Sequence, residues 1–266
     1  MISNLHTHCT YCDGKNTAEE IVLTALEKNF CSIGFSSHHI TPFDMRYCMT
    51  DLEGYIAEIN RLKEKYKGEI EIYLGLEEDA HNVCTRSGFD YILGSSHYTV
   101  KDGKHYPIDS SRDYFDACLD AWEHDYLAFA EEYYSIFCNY IEKRRPDVIG
   151  HYDLITKFDE KYPPVFFGNP EYHKMALNFT EKVAKIGSIF EVNTGAISRG
   201  LRITPYPHID LLHLIKKQGG RVTLCSDSHA KETLDFGFDN AHDLLREVGF
   251  TETYVLYKGE FTPVKL

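Results

Sequence analysis

Short apolar runs alternate along this chain with longer stretches whose apolar residues recur at three and four. The runs at 2–6 (ISNLH), 32–36 (SIGFS), 70–76 (IEIYLGL), 90–94 (DYILG), 147–150 (DVIG), 188–193 (SIFEVN) and 221–225 (RVTLC) predict strands, and 253–257 (TYVLY) predicts a last one. Residues 17–28 predict a helix, because Thr17 is followed three residues later by Glu20, a capping-box pattern. Residues 51–66 put Leu52, Tyr55, Ile59 and Leu62 on one helical face. The period is clearest over 120–145, where Tyr126, Phe129, Ala130, Tyr133, Phe137, Tyr140 and Ile141 form a stripe that stops at Pro146. Residues 170–186, 207–218 and 239–248 complete the predicted helices.

Repeated strand–helix alternation predicts parallel strands covered by helices. Seven or eight such units with no Gly/Ser linker, low-complexity tract or internal repeat predict a single-domain α/β barrel over residues 1–266. Composition leaves this picture intact: hydrophobic residues make up 43% of the chain, enough for a sizeable core. The formal net charge of -13 argues against a nucleic-acid partner, which requires basic surface. A small anionic substrate stays compatible if bound metal ions reverse the sign locally. No basic stretch leads into an apolar run at the N-terminus, and no run suits a membrane span, so a cytoplasmic, membrane-free protein is expected. The eight cysteines are scattered and predict reduced thiols, not a disulfide framework.

The candidate chemistry clusters after the strands. His6 and His8 follow the first, His38 the second and Glu77 ends the third. His97 follows the fourth, His151 the fifth, and Asp227 and His229 the seventh. In a parallel barrel those ends share one face, so the residues converge. Imidazole with carboxylate suits Zn, Mn or Fe. Alternate residues of H-x-H at a strand end point the same way, and D-x-H repeats that spacing. Cys9-x-x-Cys12 raises the alternative of a zinc knuckle, but no second ligand pair accompanies it. Asp13 is the better ligand, with the two thiols as small apolar neighbours. Glu191 and Asn193 on the sixth strand, and Glu78 and Asp79 beyond the third, are candidates for orienting these ligands.

These motifs together resemble the PHP family, named for polymerase and histidinol phosphatase domains, from end to end. HTHCTYCDG, GFSSHHITP, GSSHY with a following YPID, EVNTGAISRG and SDSHA are similar to its histidinol-phosphatase branch. Ser37 stands where many relatives have Asp, as in that branch. His39, Ile40, Thr41 and Pro42 replace the usual Ala-Pro, which makes His39 a candidate substrate contact. The resemblance implies a distorted (β/α)7 barrel and three divalent transition-metal ions. It implies that His6, His8, Glu77 and Asp227 hold the first, Glu77, His97 and His151 the second, and Asp13, His38 and His229 the third.

The implied reaction is hydrolysis of a phosphoric monoester, L-histidinol phosphate, in histidine biosynthesis. A hydroxide generated from water at the metals attacks phosphorus in line, and no protein general acid is assigned. Arg199 and Arg202 after the sixth strand are candidate phosphate clamps, since a guanidinium matches phosphate geometry. Three other readings stand beside this one: a PHP phosphoesterase acting on nucleotides or another small ester, an amidohydrolase, and a metal-stabilised scaffold without activity. Amidohydrolases also begin with H-x-H on a barrel, but they place a Lys on a middle strand where this chain has Glu77.

Overall fold

The computed structural model describes residues 1–266. Four parallel strands come first: β1 (Ser3–Asn4), β2 (Ser32–Phe35), β3 (Glu71–Asp79) and β4 (Tyr91–Ser95). An antiparallel hairpin follows, β5 (Tyr98–Lys101) with β6 (Lys104–Pro107). Parallel strands then resume with β7 (Val148–Ile149), β8 (Ile189–Asn193) and β9 (Arg221–Cys225). The seven parallel strands pair in the order β1-β2-β3-β4-β7-β8-β9. The two ends of this sheet meet at a parallel bridge between Thr7 and Ser228. There His8 N–H donates to the Ser228 carbonyl at 2.8 Å and Ser228 N–H to the His6 carbonyl at 3.1 Å. The seven-stranded barrel expected from the strand–helix alternation is therefore present.

The helices are α1 (Ala18–Glu27), α2 (Leu52–Lys65), α3 (Arg112–Ala121), α4 (Tyr126–Arg144), α5 (Pro170–Val183), a single turn α6 (Gly195–Ser198), α7 (Ile209–Lys217) and α8 (Phe238–Val248). Thr17 caps α1 as its sequence predicts: its hydroxyl accepts from Glu20 N–H at 3.3 Å, and Thr17 N–H donates to the Glu20 carboxylate at 2.9 Å. Tyr55, Ile59 and Leu62 are the buried face of α2.

Two expectations need correction. The helix predicted over 120–145 starts later, at Tyr126, although every residue of its apolar stripe lies on α4. Glu123 and His124 take left-handed φ values of 52° and 59°, which ends the preceding helix, and Asp125 caps a new one through Ala128 N–H. The last predicted strand, at 253–257, exists but lies outside the barrel. It forms β10 (Glu252–Tyr257), paired antiparallel with β11 (Glu260–Lys265). Leu256 packs with Leu5, Tyr73, Tyr91, Leu93, Val148 and Cys225, and Ser32 Oγ donates to its carbonyl at 2.7 Å. Ser32 begins β2, so this hairpin plugs the end of the barrel where the strands start. The opposite end is left for the loops after the strands.

Candidate metal centre

All nine sequence-predicted ligands lie at that opposite end. Glu77 sits within β3, and its carboxylate, 1% exposed, is the centre of the arrangement. Its Oε2 lies 3.2 Å from His6 Nε2, 3.5 Å from His8 Nε2 and 2.8 Å from His38 Nδ1. Its Oε1 lies 3.3 Å from His97 Nε2 and 3.2 Å from His151 Nε2. Five imidazoles from four separate strand ends thus converge on one carboxylate. Asp227 Oδ1 lies 3.5 Å from His6 Nε2 and 3.2 Å from His8 Nε2. Asp13 Oδ1 lies 3.4 Å from His229 Nε2 and 3.8 Å from His38 Nε2. Asp227 has φ 47°, a left-handed backbone that Asp tolerates better than most residues and that turns the chain sharply between β9 and His229.

The ligating atoms fall into overlapping groups. They are His6, His8 and Asp227; His6, Glu77 and His151; His38, Glu77 and His97; and His8, Asp13, His38 and His229. Within each, the atoms lie within 4.8 Å of one another. The resemblance implied no link between His8 and Asp13, yet the geometry also brings His8 into that last group. Cys9 and Cys12 enter none of them.

A test of whether this cluster suits metal lies in its unpaired atoms. His6 Nε2, His8 Nε2 and Glu77 Oε2 are buried without a hydrogen-bond partner. Native interiors rarely leave such groups alone, because each costs its desolvation. By charge, the partner these atoms fit is a cation. Burial opposes ionisation of Glu77, but His38, His6 and His97 outweigh it and hold the carboxyl well below its usual range. Asp227 is held down likewise, with Arg199 and His6 overcoming burial. Burial and the neighbouring His229 and His38 push His8 down to about 3, so its imidazole is neutral and able to ligate. Burial also works against a charge on His6, yet Glu191, Glu77 and Asp227 raise it well above its usual value. That elevation measures a local demand for positive charge, which a divalent ion also meets. The donor set of imidazole nitrogens and carboxylate oxygens fits divalent transition-metal ions.

Further groups aim the ligands. Glu191 Oε1 sits 2.6 Å from His6 Nδ1, and its Oε2 accepts from His151 N–H at 2.6 Å and from Asn193 Nδ2 at 3.0 Å. This carboxylate fixes which ring nitrogen of His6 faces Glu77. Asp79 does the same for His97, 3.0 Å from its Nδ1. Cys12 Sγ lies 3.4 Å from His8 Nδ1. Glu78 faces away, buried against Arg144 at 2.6 Å and Tyr140 at 2.7 Å. Glu78 and Asp79 are therefore interior groups.

A cavity of about 560 Å³ opens over the cluster. Arg199 lines it, its Nη2 donating to Asp227 Oδ2 at 2.8 Å and its Nη1 to the Asp227 carbonyl at 3.1 Å. Arg202 and His39 do not line it. Arg202 is 1% exposed, donates to Thr156 Oγ1 at 2.6 Å and lies over the Tyr206 ring. It ties loops together beneath the cavity. His39 Nδ1 faces the Asn82 carbonyl at 3.3 Å. Among the lining residues that escaped the sequence reading are Asp109 and Lys157. Asp109 ends the YPID segment, whose only signal was its motif. The β5–β6 hairpin that carries it to the cavity went unpredicted.

A PHP domain model matches residues 4–195. A probable histidinol-phosphatase of Schizosaccharomyces pombe is 27% identical over 282 residues, covering 96% of this chain and 89% of that protein. The histidinol-phosphatase of Lactococcus lactis is 24% identical over 267 residues, covering 94% and 91%. Among solved structures, a Lactococcus lactis histidinol phosphate phosphatase complexed with zinc, L-histidinol and phosphate aligns with TM-score 0.73. It is 22% identical and the alignment covers 98% of each chain, a likeness of fold. The matched domain runs from β1 through β8 and takes in every candidate ligand except Asp227 and His229, and this chain belongs to the PHP domain family.

Proposed function

We propose that this chain is a histidinol-phosphatase, a phosphoric monoester hydrolase that converts L-histidinol phosphate to L-histidinol and phosphate. The observation that carries the reading is Glu77 with five imidazoles around it, three of those ligating atoms lacking a hydrogen-bond partner. Relatives called histidinol-phosphatase over nine-tenths of the chain support the choice of ester. His6, His8, Asp13, His38, Glu77, His97, His151, Asp227 and His229 would hold three divalent ions, with zinc, manganese and iron as the candidates.

Bound there, such ions supply Lewis acidity toward a phosphate oxygen and toward water. The chain's own residues do the rest. Glu191 and Asp79 keep His6 and His97 oriented before substrate arrives, so little reorganisation remains. Arg199 is anchored by Asp227 and is still one-third exposed to the cavity, where its free N–H groups meet a phosphate oxygen. Arg202, sealed beneath, is assigned a structural role. The walls of the cavity position the ester for in-line displacement.

The test is phosphate release from L-histidinol phosphate by metal-reconstituted protein, beside nucleotides and sugar phosphates, each with a chelator control. Chelator-sensitive turnover that prefers L-histidinol phosphate is the expected result. Preference for a nucleotide would replace the substrate, and no phosphate from any ester would remove the monoesterase reading.

A further inference from the structure

The cavity has more carboxylate than the candidate metal centre uses. Asp13, Asp44, Asp109 and Asp227 all line it. Asp13 and Asp227 belong to the ligand cluster. Asp44 is saturated: Arg46 grips both oxygens, and Tyr98 donates to Oδ2 at 2.9 Å. Asp109 is different. Lys157 Nζ donates to its Oδ2 at 3.1 Å and to its backbone carbonyl at 2.7 Å, while Oδ1 has no hydrogen-bond partner. The side chain is 24% exposed. Its position is firm, because Ile108 N–H donates to the His97 carbonyl at 3.0 Å and so fixes the end of YPID beside a candidate ligand. The Lys157 ammonium, 3.1 Å from Oδ2, favours the ionised carboxylate.

The chemistry of the proposed ester matches this placement. L-histidinol phosphate is a 2-aminoalkyl phosphate, and only four bonds separate its ammonium nitrogen from phosphorus. A group that binds that ammonium must stand at the rim of the metal cluster. It must also be anionic and have a free oxygen. We infer that Asp109 Oδ1 receives the substrate ammonium, with Lys157 as the positioning residue that holds the carboxylate, so that this pair selects esters with an amine beside the phosphate. The inference rests on the phosphatase reading. It goes beyond it by naming the group that separates aminoalkyl phosphates from sugar phosphates and nucleotides.

The experiment compares matched esters with and without the amine on the metal-loaded protein. L-Histidinol phosphate is paired with 3-(imidazol-4-yl)propyl phosphate, and O-phosphoethanolamine with ethyl phosphate. The readout is the ratio of kcat/KM within each pair. A charge-assisted contact predicts a wild-type ratio of roughly 10 to 100, collapsing toward one in Asp109→Asn. A purely structural role would lower both members together and keep the ratio. Calorimetry supplies a readout independent of turnover: wild type binds L-histidinol more tightly than its deamino alcohol, and Asp109→Asn loses the difference. Asp109→Glu, which keeps the charge, restores part of the preference if the variant folds.

A wild-type ratio near one in both pairs would overturn the inference, as would a ratio undiminished in Asp109→Asn. The phosphatase reading fails separately, if L-histidinol phosphate is a poor substrate, and then the second pair still tests the ammonium contact. No turnover of any ester overturns both.

Discussion

At the scale of single residues, the ligand cluster depends on side chains that themselves never face the cavity. Glu191 spends one oxygen on His6 and the other on His151 N–H and Asn193. Removing it takes away the hydrogen bond that orients the His6 ring and one of the three carboxylates that favour a cation there. Glu191→Ala is expected to weaken metal affinity by roughly 10- to 100-fold, with the fold intact, in a competitive titration against a chromogenic chelator. Unchanged affinity would show that His6 is held by packing alone. The candidate ligands were legible in sequence because all but Asp13 lie at or just after an apolar run, four of them in H-x-H or D-x-H spacing. The roles of their supports were only half legible: Glu191 and Asp79 were recognisable as candidates, but which ring each one meets depends on barrel register. Arg202 was misassigned for a related reason. A guanidinium near a phosphatase motif reads as a clamp, and nothing local reveals that Thr156, Glu160 and Tyr206 enclose it.

At the scale of elements, the barrel interior imposes its own constraints. Tyr91, 1% exposed, crosses the barrel from β4 and donates its hydroxyl to the Leu5 carbonyl. The ring lies where β2 and β3 present Gly34 and Gly75, and a Cβ on Gly75 would come within 2.2 Å of it. Gly75→Ala therefore overpacks the centre and is expected to cost about 1–3 kcal/mol, read from urea unfolding. A smaller loss would mean the ring has room to shift. Periodicity missed this layer because a glycine in an apolar run carries no sign of what approaches it. It also started α4 ahead of Glu123 and His124, since no glycine or proline marks their left-handed turn. For β10, the alternation correctly indicated a strand but not the sheet it joins; that is decided by contacts with Leu5, Tyr91 and Cys225.

At the scale of the whole molecule, two large hydrophobic clusters flank the barrel, one of 37 buried residues and one of 19. With this much apolar core, the fold is expected to persist without metal, although metal bound to the native state alone would stabilise it. A site at 100 times its dissociation constant contributes about 2.7 kcal/mol. Chelation is expected to lower Tm while leaving the far-ultraviolet circular dichroism at room temperature unchanged. Collapse of that spectrum on mild chelation would instead favour a metal-dependent scaffold. The barrel seam carries a different consequence. Asn4 and Ser226, 222 positions apart, are bonded at 2.7 Å, and the Thr7–Ser228 bridge beside them brings H-x-H against D-x-H. On a ribosome the first motif is made early and waits for nearly the entire chain. The complete cluster cannot assemble until the last strand of the barrel has emerged and docked, so the groups that contain Asp227 or His229 are the last to be finished.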